Sequence, residues 1–270
     1  MRISWATDLH LNMADDKAYR SFINMILLEN SDCLLIAGDI SISPKLPYHL
    51  SQIAHDLSIP IYFVLGNHDF YQGSFIKEIK DSVHQLVQQL PDCHYLTKEE
   101  VISLSTHTAL IGHDSWADGR AGNYQNSSVQ LRDSIEIKDL IGLSKDERLK
   151  ILEALGEEAA LEIERKLHKA FKTHKTIILL THIPPYPEAA FYKGICNDPE
   201  WSPHFVAKTV GDMLLKVMPD YPEKKLIVLC GHTHHKAHLN ILPNLKVIVG
   251  EAEYGMPMTQ EVIEDYTQTN

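Results

Sequence analysis

The chain has 270 residues, 44% of them hydrophobic, enough to bury the core of one large domain. Its 36 acidic residues outweigh 25 basic ones for a net charge of -11, which argues against a broad basic face for nucleic acid. Met1 to Thr7 run straight into an apolar strand pattern with no h-region or cleavage site of a signal peptide, and no apolar run approaches the roughly 18 residues of a membrane span, so a cytoplasmic protein is expected.

Ile3 to Thr7 reads as a first strand, and Asp16 to Glu29 as a helix with Tyr19, Phe22, Ile23, Ile26 and Leu27 along one face. Cys33 to Ala37 is a second apolar run, followed by a loop with Pro44 and Pro47, a helix to Leu57, and a third run at Ile61 to Leu65. Strands alternating with helices predict parallel pairing in a layered α/β fold. Phe75 to Leu90 is amphipathic, and Cys93–Leu96, Val101–Leu104 and Ala109–Gly112 then follow so closely that an antiparallel stretch is expected. From Asp114 to about Thr173 a polar loop gives way to Glu-, Lys- and Leu-rich helical segments that could form an insertion or cap within a single domain spanning 1–270. Thr176–Leu180, Lys225–Leu229 and Leu245–Val249 supply further strands, with a long loop at Pro184–Pro203 and a helix at Phe205–Val217. The four cysteines are scattered without a Cys-x-x-Cys pair, which suggests neither a disulfide framework nor a zinc knuckle.

Polar residues able to bind metal follow the apolar strands. Asp8-Leu9-His10 ends the first, Gly38-Asp39 the second and Gly66-Asn67-His68-Asp69 the third. His182 ends the strand from Thr176, and Gly231-His232-Thr233-His234-His235 ends the strand from Lys225. Loops at the carboxyl ends of strands build the ligand site in layered α/β sheets, so groups far apart in sequence can converge. Carboxylate, amide and imidazole donors without thiolate suit manganese, iron, zinc or cobalt better than a structural zinc site.

The ordered motifs resemble those of the calcineurin-like metallophosphoesterase superfamily: Asp-x-His, Gly-Asp, Gly-Asn-His-Asp/Glu, a strand-terminal His and Gly-His-x-His. The resemblance covers Asp8 to His234. It implies a four-layer α/β fold, two mixed β-sheets packed as a sandwich and flanked by helices, with a dinuclear metal centre at the strand C-terminal ends. By that resemblance Asp8, His10 and His234 hold one divalent or trivalent ion, Asn67, His182 and His232 hold the other, and Asp39 bridges them. A hydroxide between the ions would attack the phosphorus of a phosphodiester or phosphomonoester. His68 would stabilise or protonate the leaving group. Gly38-Asp39-Ile40-Ser41-Ile42 departs from the Gly-Asp-x-x-Asp-Arg-Gly of the protein-phosphatase branch, with isoleucine in place of the aspartate that supports the motif histidine. That argues against a protein phosphatase and leaves the orienting partner of His68 open; Asp69 is adjacent.

In the loop after Gly112, His113 and Arg120 are candidates to contact substrate phosphate, with Trp116 as an apolar wall. Tyr186, Lys193 and Trp201 raise the same question, and His235 and His238 read as supporting or surface groups. The expected partner is a small soluble phosphoester. A non-catalytic scaffold on the same fold is the alternative, as is a nuclease, although no run of Lys and Arg marks a path for a polyanionic strand.

Overall fold

A computed structural model describes residues 1–90 and 92–264. Strands β1 (Arg2–Ala6), β2 (Cys33–Ala37), β3 (Ile61–Val64) and β4 (Cys93–Tyr95) run parallel in that spatial order, with Ile3 opposite Cys33, Leu34 opposite Ile61 and Ile61 opposite Cys93. The second sheet holds β5 (Ile102–Ser103), β6 (Thr108–Gly112), β7 (Thr176–Leu180), β10 (Lys225–Cys230), β11 (Ala237–Leu242) and β12 (Leu245–Val249), in the order β11-β12-β10-β7-β6-β5. Its four central strands are parallel and both edge strands antiparallel. A short ribbon, β8 (Phe191–Tyr192) with β9 (Ile195–Cys196), stands apart, and β13 (Ile263–Glu264) pairs antiparallel with β1 at the edge of the first sheet.

Period-two alternation explains the layering, because successive side chains of a strand point to opposite faces. On β2, Cys33, Leu35 and Ala37 meet Leu110, Ile178, Leu180 and Leu229 between the sheets, while Leu34 and Ile36 turn to the outer helices. Helices α1 (Asp16–Glu29), α2 (Leu46–Asp56) and α3 (Ile76–Val87) cover that outer face through residues such as Phe22, Leu50 and Ile79. The far face of the second sheet is covered by α5 (Lys145–Ala170) and α7 (Lys208–Val217). Two mixed sheets flanked by helices are thus present, as expected. Among the described residues no helix is long and apolar enough to cross a membrane.

Local signals set the helix ends. Asp15 caps α1 by accepting from the Ala18 amide at 2.8 Å, and Asn30 closes it in the left-handed region at φ 49. Ser144 and Glu147 form a reciprocal capping box on α5.

One expectation needs correction. The β5–β6 pair is antiparallel, but β4 joins β3 in parallel on the other sheet. Close spacing signals a turn without saying which sheet receives each strand, and here the chain crosses from one sheet to the other after Leu96, which is buried between them. Within 114–173, the C-terminal part of α5 flanks the second sheet, with Ala159, Ile163, Leu167 and Ala170 packed with Ile177 and Leu179, while Leu152 nearer its start joins the cluster of Trp116, Tyr124 and Leu140. Only the segment before α5, with the short helix α4 (Asp133–Glu136), reaches the crest where the motifs gather.

Candidate metal centre

Asp8 and His10 lie just beyond β1, Asp39 beyond β2, Asn67 and His68 on the single 3-10 turn after β3, His182 beyond β7, and His232 and His234 beyond β10. Backbone hydrogen bonds lace these loops together: Asp8 N to Gly38 O at 3.0 Å, His10 N to Asp39 O at 2.9 Å and Gly231 N to His182 O at 2.9 Å. The two sheets are joined by His182 Nδ1, which donates to Ala37 O at 2.8 Å, and by His232 N, which donates to Asp8 Oδ2 at 2.9 Å. The motif glycines follow from this crowding. A Cβ on Gly66 would fall 2.1 Å from Asp39 Oδ1, and one on Gly231 would fall 1.9 Å from Thr7 Oγ1. Asp8, His10, Asp39, His232 and His234 all adopt positive φ, between 42 and 69. Asp and His tolerate that region better than bulky residues do, and the interlaced loops hold the strain.

The seven residues anticipated as ligands converge. Asp8, His10 and His234 bring one donor atom each within 4.8 Å of one another, as do Asp8, Asp39 and His182. His10 Nε2 stands 3.1 Å from His234 Nε2, and Asp39 lies between the halves, its Oδ2 3.8 Å from His10 Nε2 and its Oδ1 3.5 Å from His182 Nε2. Asn67 Oδ1 is 3.2 Å from His182 Nε2 and 3.1 Å from His232 Nδ1.

That last trio tests the fit to a cation. His182 spends its Nδ1 proton on Ala37 O, and His232 spends its Nε2 proton on His204 O at 3.0 Å. The Asn67 amide nitrogen donates to Asp133 Oδ1 at 2.8 Å and to Tyr71 Oη at 3.2 Å, which turns its oxygen inward. Burial holds His182 and His232 down at about 4, so both are neutral near pH 7. Three lone pairs therefore face one another with no proton among them, an arrangement a cation relieves. Burial, then the neighbouring charges of Asp8 and Asp69, also pushes the Asp39 carboxyl well above its usual range, the sign of a buried negative charge that needs a counter-ion.

His68 donates its backbone amide to Asp39 Oδ1 at 2.8 Å. Its ring stacks on Tyr71 at 4.3 Å and meets the His10 ring edge-on at 4.6 Å. Asp69 points away: its carboxylate accepts from the amides of Ile40, Ser41 and Gly66 and braces two loops. Ring stacking on Tyr71 thus holds His68 where the protein-phosphatase branch uses a carboxylate.

None of the three residues anticipated at substrate lines the cleft above the ligands. His113 is buried, with Nδ1 accepting from the Ser115 amide at 3.0 Å, and does not line the cleft above the ligands. Trp116 packs on Phe70 with ring centroids 5.5 Å apart. Arg120 pairs with Glu153 and Glu157 of α5 and donates to Thr209 at 2.8 Å. A polar loop after a strand looks alike in sequence whether it turns to the cleft or to a helix thirty residues on. Of the later candidates, Trp201 lines the cleft, Tyr186 is buried with its hydroxyl on Gly211 O at 3.1 Å, and Lys193 is exposed in the β8–β9 ribbon. His235 lines the cleft with Nδ1 on Thr233 O at 2.7 Å, while His238 lies 3.6 Å from Glu261.

Sequence reading missed Tyr71, Arg132, Asp133, Phe205 and Tyr254. Tyr71, Arg132, Phe205 and Tyr254 line the cleft, whose volume is ≈ 550 Å³. Tyr254 sits 4.5 Å from the His10 ring and 4.9 Å from the His234 ring, in a loop whose two ends are clamped by the Gln260 amide on Glu251. None of these belongs to a motif, and only Tyr71, four residues beyond Asn67, carried a positional signal.

Fold and site together define a member of a family of metal-dependent phosphoesterases. Residues 1–236 match the family model described as calcineurin-like phosphoesterase, and the chain belongs to that family, which implies two metal ions. Among solved structures it is similar to phosphopantetheinyl hydrolase from Mycobacterium tuberculosis, at 13% identity and TM-score 0.66 over 99% of this chain and 98% of that one. A dimetal phosphatase from Danio rerio aligns at 15% identity and TM-score 0.59 over 93% and 87%. Identities this low show a shared fold. No curated protein matches the sequence.

Proposed function

We propose that the chain hydrolyses a small phosphodiester or phosphomonoester whose leaving group is apolar or aromatic. The observation that carries this reading is the convergence of Asn67 Oδ1, His182 Nε2 and His232 Nδ1 as three proton-free acceptors at the floor of an aromatic cleft. These three residues would hold one ion and Asp8, His10 and His234 the other, with Asp39 shared; manganese, iron and zinc suit the donor set. Two such ions lower the pKa of a water and neutralise charge growing on phosphoryl oxygens.

The chain's own side chains do the remaining work. The His68 ring lines the cleft beside Asp39; burial, then the neighbouring His10, holds it well below its ordinary value, so it meets the departing oxygen as a neutral N–H hydrogen-bond donor that can pass its proton on as charge develops there. Arg132, ion-paired with Glu136, lines the cleft wall and is the group we assign to a phosphate oxygen. Met13, Trp201, Phe205 and Tyr254 form an apolar surface for the leaving group. Arg132 is the one Lys or Arg among the described residues lining the cleft, which gives no support to a nuclease.

The test is hydrolysis by the purified chain, loaded in turn with manganese, iron and zinc. Substrates are an aryl phosphodiester, an aryl phosphomonoester and a panel of natural esters, including a phosphopantetheinyl ester because of the neighbour's named activity. Cleavage of at least one, lost with metal in Asp39→Asn, is expected. Two bound ions with no ester cleaved would favour the scaffold instead.

A further inference from the structure

A second cavity, of ≈ 140 Å³, lies behind the cleft between residues 116–152 and the segment 203–204. Leu131 lines both spaces. Trp116, Tyr124, Leu140 and Leu152 form an apolar side facing Ser127, Ser128, Gln130 and Ser134, and an apolar cavity of roughly 150 Å³ holds a benzene ring. The cavity's polar lining is unusual for a chain of net charge -11: Lys145 and Arg148 both face it.

Lys145 donates to the carbonyls of Gln125 and Ser127 at 3.0 and 2.7 Å, and Arg148 gives Nη1 to Leu143 O at 3.1 Å. Among the described residues neither is ion-paired with a carboxylate. Both sit in the first turns of α5, where the helix dipole disfavours cations. The first-turn acids do not compensate them, since Asp146 is engaged by Gln125 and Glu147 by Ser144, and neither lines the cavity. Asp133 is the single carboxylate in the wall, and its Oδ1 already takes hydrogen bonds from Asn67 and Tyr71.

We propose that this cavity binds a small organic anion, a carboxylate or phosphate carried on a ring-sized or branched apolar body. The apolar walls take the body, and Lys145 and Arg148 take the charge. The site is separate from the metal centre but touches its supports, because Asp133 holds Asn67 and the His204 carbonyl holds His232. The same chemistry fits either the far end of the phosphoester substrate or a separate effector.

The test titrates the full chain, first stripped of metal and then loaded, with benzoate, cyclohexanecarboxylate and 3-methylbutanoate. Benzamide and benzamidine serve as neutral and cationic controls, and binding is read by calorimetry and ligand-observed NMR. At least one carboxylate should bind saturably in both metal states and more tightly than either control. Lys145→Gln and Arg148→Gln should each weaken it about tenfold, the loss expected for one charge-assisted hydrogen bond. Val129→Trp, which adds bulk from a half-buried position in the lining, should abolish binding with metal content unchanged. No saturable binding across the panel, equal binding of benzamide, or binding that survives both charge substitutions would overturn the proposal. If the anion competes with a phosphoester in the loaded enzyme, the cavity holds the substrate's far end; if both bind together and turnover changes, it holds an effector.

Discussion

An amide side chain can present its oxygen or its nitrogen to a neighbour, and at Asn67 the choice is made by Asp133 and Tyr71, which take up the NH2 group. Removing the acceptor frees the amide to flip and put two N–H groups where a cation belongs. Asp133→Ala should therefore lower metal affinity roughly 10- to 100-fold, the range seen when a group that orients a ligand is lost. Titration against a competing chelator reads this without any substrate, and unchanged affinity would show that Asn67 needs no such support. His68 calls for the opposite result. Its ring stacks on Tyr71, and although its donor atom lies within 4.8 Å of those of His10 and Asp39, the seven other donors suffice for two ions, so His68→Asn should keep both metals. Turnover should fall about 10²- to 10⁴-fold for poor leaving groups and progressively less as leaving-group pKa drops. A deficit that is the same across a series of aryl and alkyl esters would remove the general-acid role.

At helix α5 two charged groups have consequences that can be measured, one paired with it and one on it. Its partner Arg120 forms a partly exposed surface pair with Glu157, so Arg120→Gln should cost under about 1 kcal/mol in urea unfolding and leave relative rates on different esters unchanged. A shifted substrate preference would return Arg120 to the substrate path. Lys166 is buried, with Nζ donating to Leu96 O at 2.8 Å and Gly112 O at 2.9 Å, and burial lowers it from 10.5 to about 8. Between those two pH values the unfolded chain holds a proton the folded chain has released, so stability rises with pH; below about 8 both forms are charged and the burial penalty is fully present. The stability of the parent chain relative to Lys166→Met should therefore grow by up to roughly 3 kcal/mol from pH 7.5 to 10.5, and a flat difference would mean that the ammonium is not desolvated. Most of these elements were legible in sequence, because apolar periodicity is a local signal and the α1 and β2 boundaries coincide with it. What was not legible is placement. Nothing near Cys93 says which sheet it joins, and nothing near Trp116 or Arg120 says that Phe70 takes the one and α5 the other.

The motif residues were legible for a related reason: their spacing after apolar strands survives as pattern, whereas Asp133 and Tyr254 reach the crest only through the path of the whole chain. That path makes the metal centre a clasp. Asp8, Asp39 and Asn67 come from the first sheet and His182, His232 and His234 from the second, so ions bound among them tie the halves together. Metal at about a hundredfold excess over its dissociation constant should add about 2.7 kcal/mol of stability, several degrees in Tm for a chain of this size, and chelation should remove it. A Tm indifferent to chelator after verified metal loading would mean that the ions sit outside these loops.

Asp8 and His232 are 224 residues apart in the chain yet hydrogen-bonded in the fold, and β1 finds its edge partner only in β13. At roughly 5 to 20 residues per second of synthesis, Asp8 waits about 11 to 45 seconds for that histidine to be made. Until residue 182 is made three of the four ligand imidazoles are missing, and from then until His232 and His234 follow, two are. All seven donors are therefore together only once His234 has been made, and an ion that needs both halves of the centre has no complete site before then.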